Sequence, residues 1–321
     1  MSSPRLRAPL CLAALLAAAC AALPSAPRAP RESGELVLWQ VESASRPGGR
    51  AWLLGSVHAS TPDLQFDPAV ESAFTASQAL VIEADLTSAA GDDAFGFVQR
   101  LLQQATLPEG QTLDQLLPPP TWERLAEFLR SRGQPVEPIR RYEPWLVMTM
   151  VTSYLYAEAG LPAAGGVDLR FVSRAEGHIP IFTLETPEFQ ISLLDALPLD
   201  VQARMLAEVL EKQAETRAAA IRLYEAWRLG DLDAIEAETL APGRADPKLR
   251  DFYDRVYVER NRAMAVRIHE LLGEEQTWFV VVGASHMVGA EGIPALLAER
   301  GHRVVRVRKS AAPAPAAPAA E

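Results

Sequence analysis

Apolar residues fall into two rhythms along the chain. Short runs, nearly continuous in Val, Ile, Leu, Phe and Trp, occupy Glu35–Val41, Ala51–Ser56, Ala79–Ala84, Ile179–Leu184, Thr277–Val282 and Arg303–Val307. Runs of that length and continuity predict strands covered on both faces. Stretches where apolar positions return every three or four residues predict helices. These cover Pro68–Ser77, Phe95–Gln104, Thr121–Arg132, Pro144–Glu158, Val167–Glu176, Pro187–Ala196, Leu199–Leu229, Ala234–Leu240, Pro247–Leu272 and Gly292–Arg300. Strands alternating with helices define an α/β fold: a mixed, largely parallel sheet flanked by helices. The long helical pattern over 187–272 is then an insertion, or a helical cap on that sheet.

The two ends follow neither rhythm. Arg5 and Arg7 precede an apolar run from Pro9 to about Leu23, the layout of a secretory signal and too short for a comfortable membrane span. Pro24, Pro27 and Pro30 then break the segment, which argues against a buried N-terminal helix. The small residues Ala17–Ala22 offer cleavage after Ala19 or Ala21, so residues 1–21 are expected to be a signal peptide. Ala17–Cys20 also matches a degenerate lipobox, which would leave a lipid on Cys20 as the only link to a membrane. Residues 22–34 form an expected linker, 35–308 one α/β domain, and 309–321 an Ala/Pro tail too poor in large apolar residues to build a core. The expected product is exported and periplasmic.

Composition narrows the function classes. Of 321 residues, 49% are hydrophobic and 22% charged, ordinary globular usage. The charge is −10, from 31 Lys+Arg against 41 Asp+Glu, and it falls to about −12 once Arg5 and Arg7 are removed (29 against 41). That sign, with no long basic run, argues against nucleic-acid binding. The two cysteines, Cys11 and Cys20, lie in or beside the leader, so a domain beginning after Ala21 has no disulfide, no cysteine-based zinc site and no thiol nucleophile.

Two segments share one layout. Trp52-Leu53-Leu54-Gly55-Ser56-Val57-His58 and Phe279-Val280-Val281-Val282-Gly283-Ala284-Ser285-His286 each run from a buried strand into Gly-x-x-His. The strand gives rigid support, the glycine is expected to allow a sharp turn, and the histidine projects over the carboxyl edge, where open α/β sheets bind ligands. Glu83 and Glu185 stand at comparable strand ends. A carboxylate there is either paired with a cation or cap, or serves as metal ligand or general base. Two imidazoles with one or two carboxylates suit Zn²⁺, Mn²⁺, Fe²⁺ or Co²⁺.

Arg260 occupies the apolar stripe Leu249, Phe252, Val256, Met264, Ile268, Leu271, where a hydrophobe is expected, so it needs an anionic partner: Glu83, Glu185 or a substrate oxyanion. Asn261 and Arg262 follow and are placed to share that task, and Asp168 is either a helix-start residue or a support for the site. His178 and His302 read as exposed strand-start residues, and His269 as a helix flank. The chain has no P-loop, dinucleotide fingerprint or Gly-x-Ser-x-Gly elbow.

The segments Leu54–His58, Val81–Asp85, Gly166–Asp168, Leu184–Thr186, Glu259–Ala265 and Val282–Gly289, in that order, resemble the TraB/GumN family, which includes PrgY and is similar to the TIKI metalloproteases. The resemblance implies an α/β fold akin to ChaN-like and erythromycin-esterase-like proteins. It also implies a metal-dependent hydrolytic site at His58, Glu83 and His286, with Glu185 as a further candidate ligand. Glu83, Arg260 and Asn261 are the expected catalytic groups, with Mn²⁺, Co²⁺ or Zn²⁺ as cofactor. The expected function is an exported, peptidase-like metal-dependent hydrolase. A periplasmic protein that captures a peptide or glycan without turnover would use the same polar edge, and a serine esterase through Ser56 or Ser285 is a third possibility.

Overall fold

The structure, a computed structural model, describes residues 29–84, 94–247 and 249–311. The expected signal peptide with Cys11 and Cys20, most of the expected linker, Asp85 and the tail beyond Ala311 lie outside those residues. Six strands form one sheet: β1 (Glu35–Glu42), β2 (Arg50–Ser56), β3 (Ala79–Ala84), β4 (Ile181–Glu185), β5 (Thr277–Gly283) and β6 (Arg303–Arg308). Their order is β4-β3-β5-β2-β1-β6. Neighbours from β4 to β2 are parallel, while β1 runs antiparallel to both β2 and β6. The mixed, largely parallel α/β sheet is as expected. Its consequence for function is that β2, β3, β4 and β5 all deliver their C-terminal residues to one edge.

The central strands alternate between two apolar layers. Leu54, Leu80, Ile82, Phe279 and Val281 face one side, under the helices Pro68–Thr75 and Val167–Ala175. Leu53, Val81, Val280 and Val282 face the other, under Pro144–Glu158, Leu199–Glu211, Arg260–Leu271 and Ile293–Glu299. Burying each such side chain contributes about 1.5–3 kcal/mol, so the sheet is a rigid platform for its edge. No helix among the described residues is long and apolar enough to cross a membrane.

The helical stretch between β4 and β5 is present but is not continuous. The pattern over Leu199–Leu229 breaks at Lys212, whose backbone leaves the helical region (φ −107°, ψ 36°), giving Leu199–Glu211 and Gln213–Leu229. Both pack on Pro144–Glu158, and the second also reaches β1. The pattern over Pro247–Leu272 resolves into a short helix Arg250–Tyr253, a wide π turn Asp254–Glu259 and the helix Arg260–Leu271. β4 begins at Ile181 rather than Ile179, because Pro180 has no N–H to offer; its carbonyl accepts from Leu80 N–H at 2.9 Å. At the ends of the domain, Arg31 N–H donates to Asp231 (2.8 Å) and Ser310 Oγ to Asp67 (2.7 Å), so the residues flanking β1 and β6 are tied down.

His302 corrects an expectation. It is buried, only 5% exposed, because Gly301 turns the chain with φ 87° and folds the ring under Ala44. Ala44 N–H donates to His302 Nδ1 (3.2 Å), so Nε2 must carry the proton and donate to His269 Nδ1 (2.8 Å). Burial, with the neighbours His269 and Arg300, lowers the His302 pKa, opposed by the Glu42 backbone. A depressed histidine is protonated more readily in the unfolded chain, so stability is lost as pH falls below the ordinary value of 6.5. Urea unfolding between about pH 7.5 and about pH 5.5 is expected to show a smaller loss for His302→Gln, whose amide can keep both hydrogen bonds but cannot titrate.

Candidate active site

The shared strand edge gathers the expected residues. Ser56 ends β2 opposite Gly283 of β5, and His58 and His286 follow two and three residues later on adjacent loops. Glu83 reaches the same point from β3, accepting the Gly283 N–H at 3.0 Å. A methyl placed on Gly283 would sit 3.5 Å from Glu83 Oε2, His58 Nε2 and the His286 ring alike, so this glycine marks the centre. Neither Gly55 nor Gly283 has a positive φ, so neither is needed for a sharp turn, and Gly55 serves close approach instead. A side chain on Gly55 would lie 2.5 Å from Val37 and 3.1 Å from Met287, and its carbonyl accepts from Trp227 Nε1 at 2.7 Å. Gly165 and Gly166 likewise let the start of Val167–Ala175 press on the carbonyls of Ser60 and His58, which brings Asp168 to the His58 ring.

Each imidazole is fixed by its far nitrogen. His58 Nδ1 donates to Asp168 at 3.3 Å, since a carboxylate can only accept. His286 Nδ1 donates to Asn261 Oδ1 at 2.5 Å, and Asn261 Nδ2 donates to Glu291 O at 2.7 Å, which fixes the amide orientation. Both Nε2 lone pairs therefore turn toward the centre, the arrangement in which supporting groups orient metal-ligating histidines. Tyr257 of the π turn packs its ring on His286, centroids 5.4 Å apart.

Arg260 holds the acids together. It is 2% exposed, as its place in the apolar stripe required, and its guanidinium binds Glu185 through Nε (2.9 Å) and Nη2 (2.7 Å). Nη2 also donates to Glu83 Oε1, and Nη1 donates to Val256 O (3.2 Å) and, at 3.4 Å, to the His286 Nε2 lone pair. Gln190 completes the array by donating to both Glu83 (2.9 Å) and Glu185 (3.1 Å). The sequence offered a sign of Gln190 that was missed: it shares the buried face of its helix with Ile191 and Leu194, a polar residue on an apolar stripe, like Arg260. Arg262 is not part of the site; it points outward to Glu291.

The electrostatics separate the two histidines. Burial alone would lower the His58 pKa, but the charge and hydrogen bond of Asp168, with Glu83, raise it above the usual range. Burial and the Arg260 charge push His286 down to about 3, so it stays neutral. Burial would raise the Glu83 carboxyl, but Arg260 and both imidazoles overcome this and hold it well below the usual carboxylate range. Neither Ser56 nor Ser285 is hydrogen-bonded to an imidazole among the described residues, so the activated hydroxyl of a serine esterase is absent there.

A cavity of about 60 Å³ opens over this centre, and the helices between β4 and β5 wall it with Leu223, Tyr224, Val256 and Tyr257. The helical region is thus a cap on the site. Residues 37–306 match the TraB/PrgY/gumN family. The chain belongs to that family. Other relatives are distant. A Treponema pallidum protein described as uncharacterized is 23% identical over 83% of this chain and 81% of its own length. Metalloprotease TIKI1 of Danio rerio is 26% identical over 79% of this chain, and the Metalloprotease TIKI homolog of Nematostella vectensis 25% identical over 87%. The match spans 60% of the zebrafish protein's length. No solved structure matches this TraB/PrgY/gumN chain, and the expected likeness to ChaN-like and erythromycin-esterase-like proteins is not shown.

Among the described residues no three His, Cys, Asp or Glu side chains converge as a ready metal cage. The donor chemistry nevertheless fits a divalent ion at part of the site. Glu83, Glu185 and Asp168 set three negative charges against the one of Arg260, an imbalance of two when both imidazoles are neutral. Glu185 is the most committed of the expected ligands, because both of its oxygens are held by Arg260, whereas Glu83 gives Arg260 one oxygen and His286 accepts from it only at 3.4 Å. Arg260→Met should destabilise this family member by roughly 3–5 kcal/mol at neutral pH, since two buried carboxylates lose their partner. The deficit against wild type should shrink as pH falls and those carboxylates take up protons, a trend that urea unfolding at two pH values measures.

Proposed function

We propose that this chain is an exported metal-dependent hydrolase acting on peptide bonds. The observation that carries the reading is the meeting of two oriented Nε2 lone pairs with Glu83 at Gly283, in a cluster whose carboxylates outnumber its cation. The names of the TIKI relatives support protease chemistry, and the leader pattern with Arg5, Arg7 and the following apolar run supports export.

His58, His286 and Glu83 would hold the ion, which supplies polarisation of the scissile carbonyl and acidification of a water. The chain's own residues do the rest. Asp168 and Asn261 keep both imidazoles in the tautomer that presents Nε2. Arg260, Gln190 and the Gly283 N–H orient Glu83 and keep it ionised. A carboxyl held so far below neutrality is a weak proton acceptor, which favours Glu83 as a ligand over Glu83 as general base. Glu185 neutralises Arg260 and stays off the ion. The apolar and aromatic walls from the helical cap exclude bulk water, which strengthens every charge interaction inside.

The test is metal content by elemental mass spectrometry on chain purified without chelator or affinity metal, alongside folded His58→Ala and His286→Ala variants. Stoichiometric metal in wild type, lost in both variants, with chelator-sensitive cleavage of a peptide library, is the expected outcome. A wild-type chain that stays metal-free after exposure to Mn²⁺, Co²⁺ and Zn²⁺ would overturn the reading.

A further inference from the structure

One polar atom at the centre has no role in the arrangement described so far. Ser56 is 3% exposed, and its hydroxyl oxygen is sealed from solvent with no hydrogen-bond partner among the described residues. The two imidazoles and the guanidinium at the centre are matched: His58 with Asp168, His286 with Asn261, and Arg260 with Glu83 and Glu185. A hydroxyl that both donates and accepts is costly to bury unmatched, and such groups in folded proteins are satisfied by water or ligand.

The surroundings say which. Ser56 lines two cavities, each of which also touches His58 and Glu83. The larger, walled by the helical cap, is where a substrate would enter. The smaller measures about 20 Å³ and is lined on its polar side by Ser56, His58, Glu83, Asp168 and Gln190. That is room for a single water, among enough polar groups to satisfy it. The two cavities share the Ser56, His58 and Glu83 side chains.

We propose that Ser56 is a further catalytic residue, its hydroxyl holding the water consumed in hydrolysis within the small cavity it shares with His58 and Glu83. The assignment rests on the hydrolase reading of the same site. It differs from a serine nucleophile, since no imidazole is hydrogen-bonded to this oxygen to take its proton. The hydroxyl orients the water oxygen toward the larger cavity and is itself unchanged by the reaction.

The experiment pairs crystal structures of the full chain, wild type and Ser56→Ala, with kinetics of both and of Ser56→Thr on a peptide that wild type cleaves. An ordered water within hydrogen-bond distance of Ser56 Oγ is expected in wild type and absent in Ser56→Ala. Ser56→Ala should lower kcat by about 10²-fold, the scale of losing one positioned hydrogen bond at a reacting oxygen. KM should stay within about threefold, because no contact to the bound substrate is removed. Ser56→Thr, which keeps the hydroxyl, should retain most of the rate. The melting temperature of Ser56→Ala should equal or exceed that of wild type, whereas a hydroxyl kept only for structure would lower it on removal. No ordered water beside Oγ, or an unchanged kcat in Ser56→Ala, overturns the assignment and leaves the hydrolase reading standing. Absence of cleavage by wild type across a peptide library overturns that reading, and the catalytic role of Ser56 with it, even where the water is seen.

Discussion

A guanidinium almost removed from water is tolerable only where carboxylates meet it at hydrogen-bond distance, and Arg260 satisfies that condition twice, through Glu83 and Glu185. The rest of the site follows from this pairing. Glu185 ends β4 and Glu83 lies near the end of β3, so one side chain from the cap ties two neighbouring strands at the edge where they finish. Glu83 can then turn its other oxygen to Gly283 of β5, which brings a third strand into the same network. Both oxygens of Glu83 are engaged, and its orientation toward the two histidines is fixed before any ligand arrives.

The histidines are held by a different means, backbone proximity. Gly55 packs under Val37 and Met287, and Gly165 and Gly166 let a helix start lie directly on the His58 loop. Asp168 reaches His58 only because that helix sits so close, and Asn261 reaches His286 from the residue after Arg260. Helix Arg260–Leu271 therefore delivers both the cation that organises the acids and the amide that sets one imidazole. Small residues at these contacts are a geometric requirement of the site, as strict as the choice of its charged residues.

The cap explains how a site built on strand ends acquires a dry wall. Between β4 and β5 the chain spends its helices on covering the sheet, and one π turn interrupts them where Val256, Tyr257 and Arg260 all face the cavity. Such turns are frequent at functional sites. The relatives in Treponema pallidum and Danio rerio are only about a quarter identical to this chain.

Much of this was legible in the amino-acid order alone. The six strands, the largely parallel sheet and the helical region between β4 and β5 followed from local rhythm, because continuous apolarity and 3.6-residue periodicity are properties of neighbouring residues. Arg260 betrayed its burial by breaking a stripe, and His58, His286, Glu83 and Glu185 by ending strands. What local pattern could not supply were facts created by approach in space. That Glu185 is spent on Arg260, that Gln190 bridges two carboxylates, that Gly55 makes room rather than turns, and that His302 is buried under Ala44 all depend on partners far away in the chain. The sequence determined which polar residues stand out and which strand edge they share; tertiary packing alone decided how their charges pair, because pairing depends on distances that sequence separation does not set.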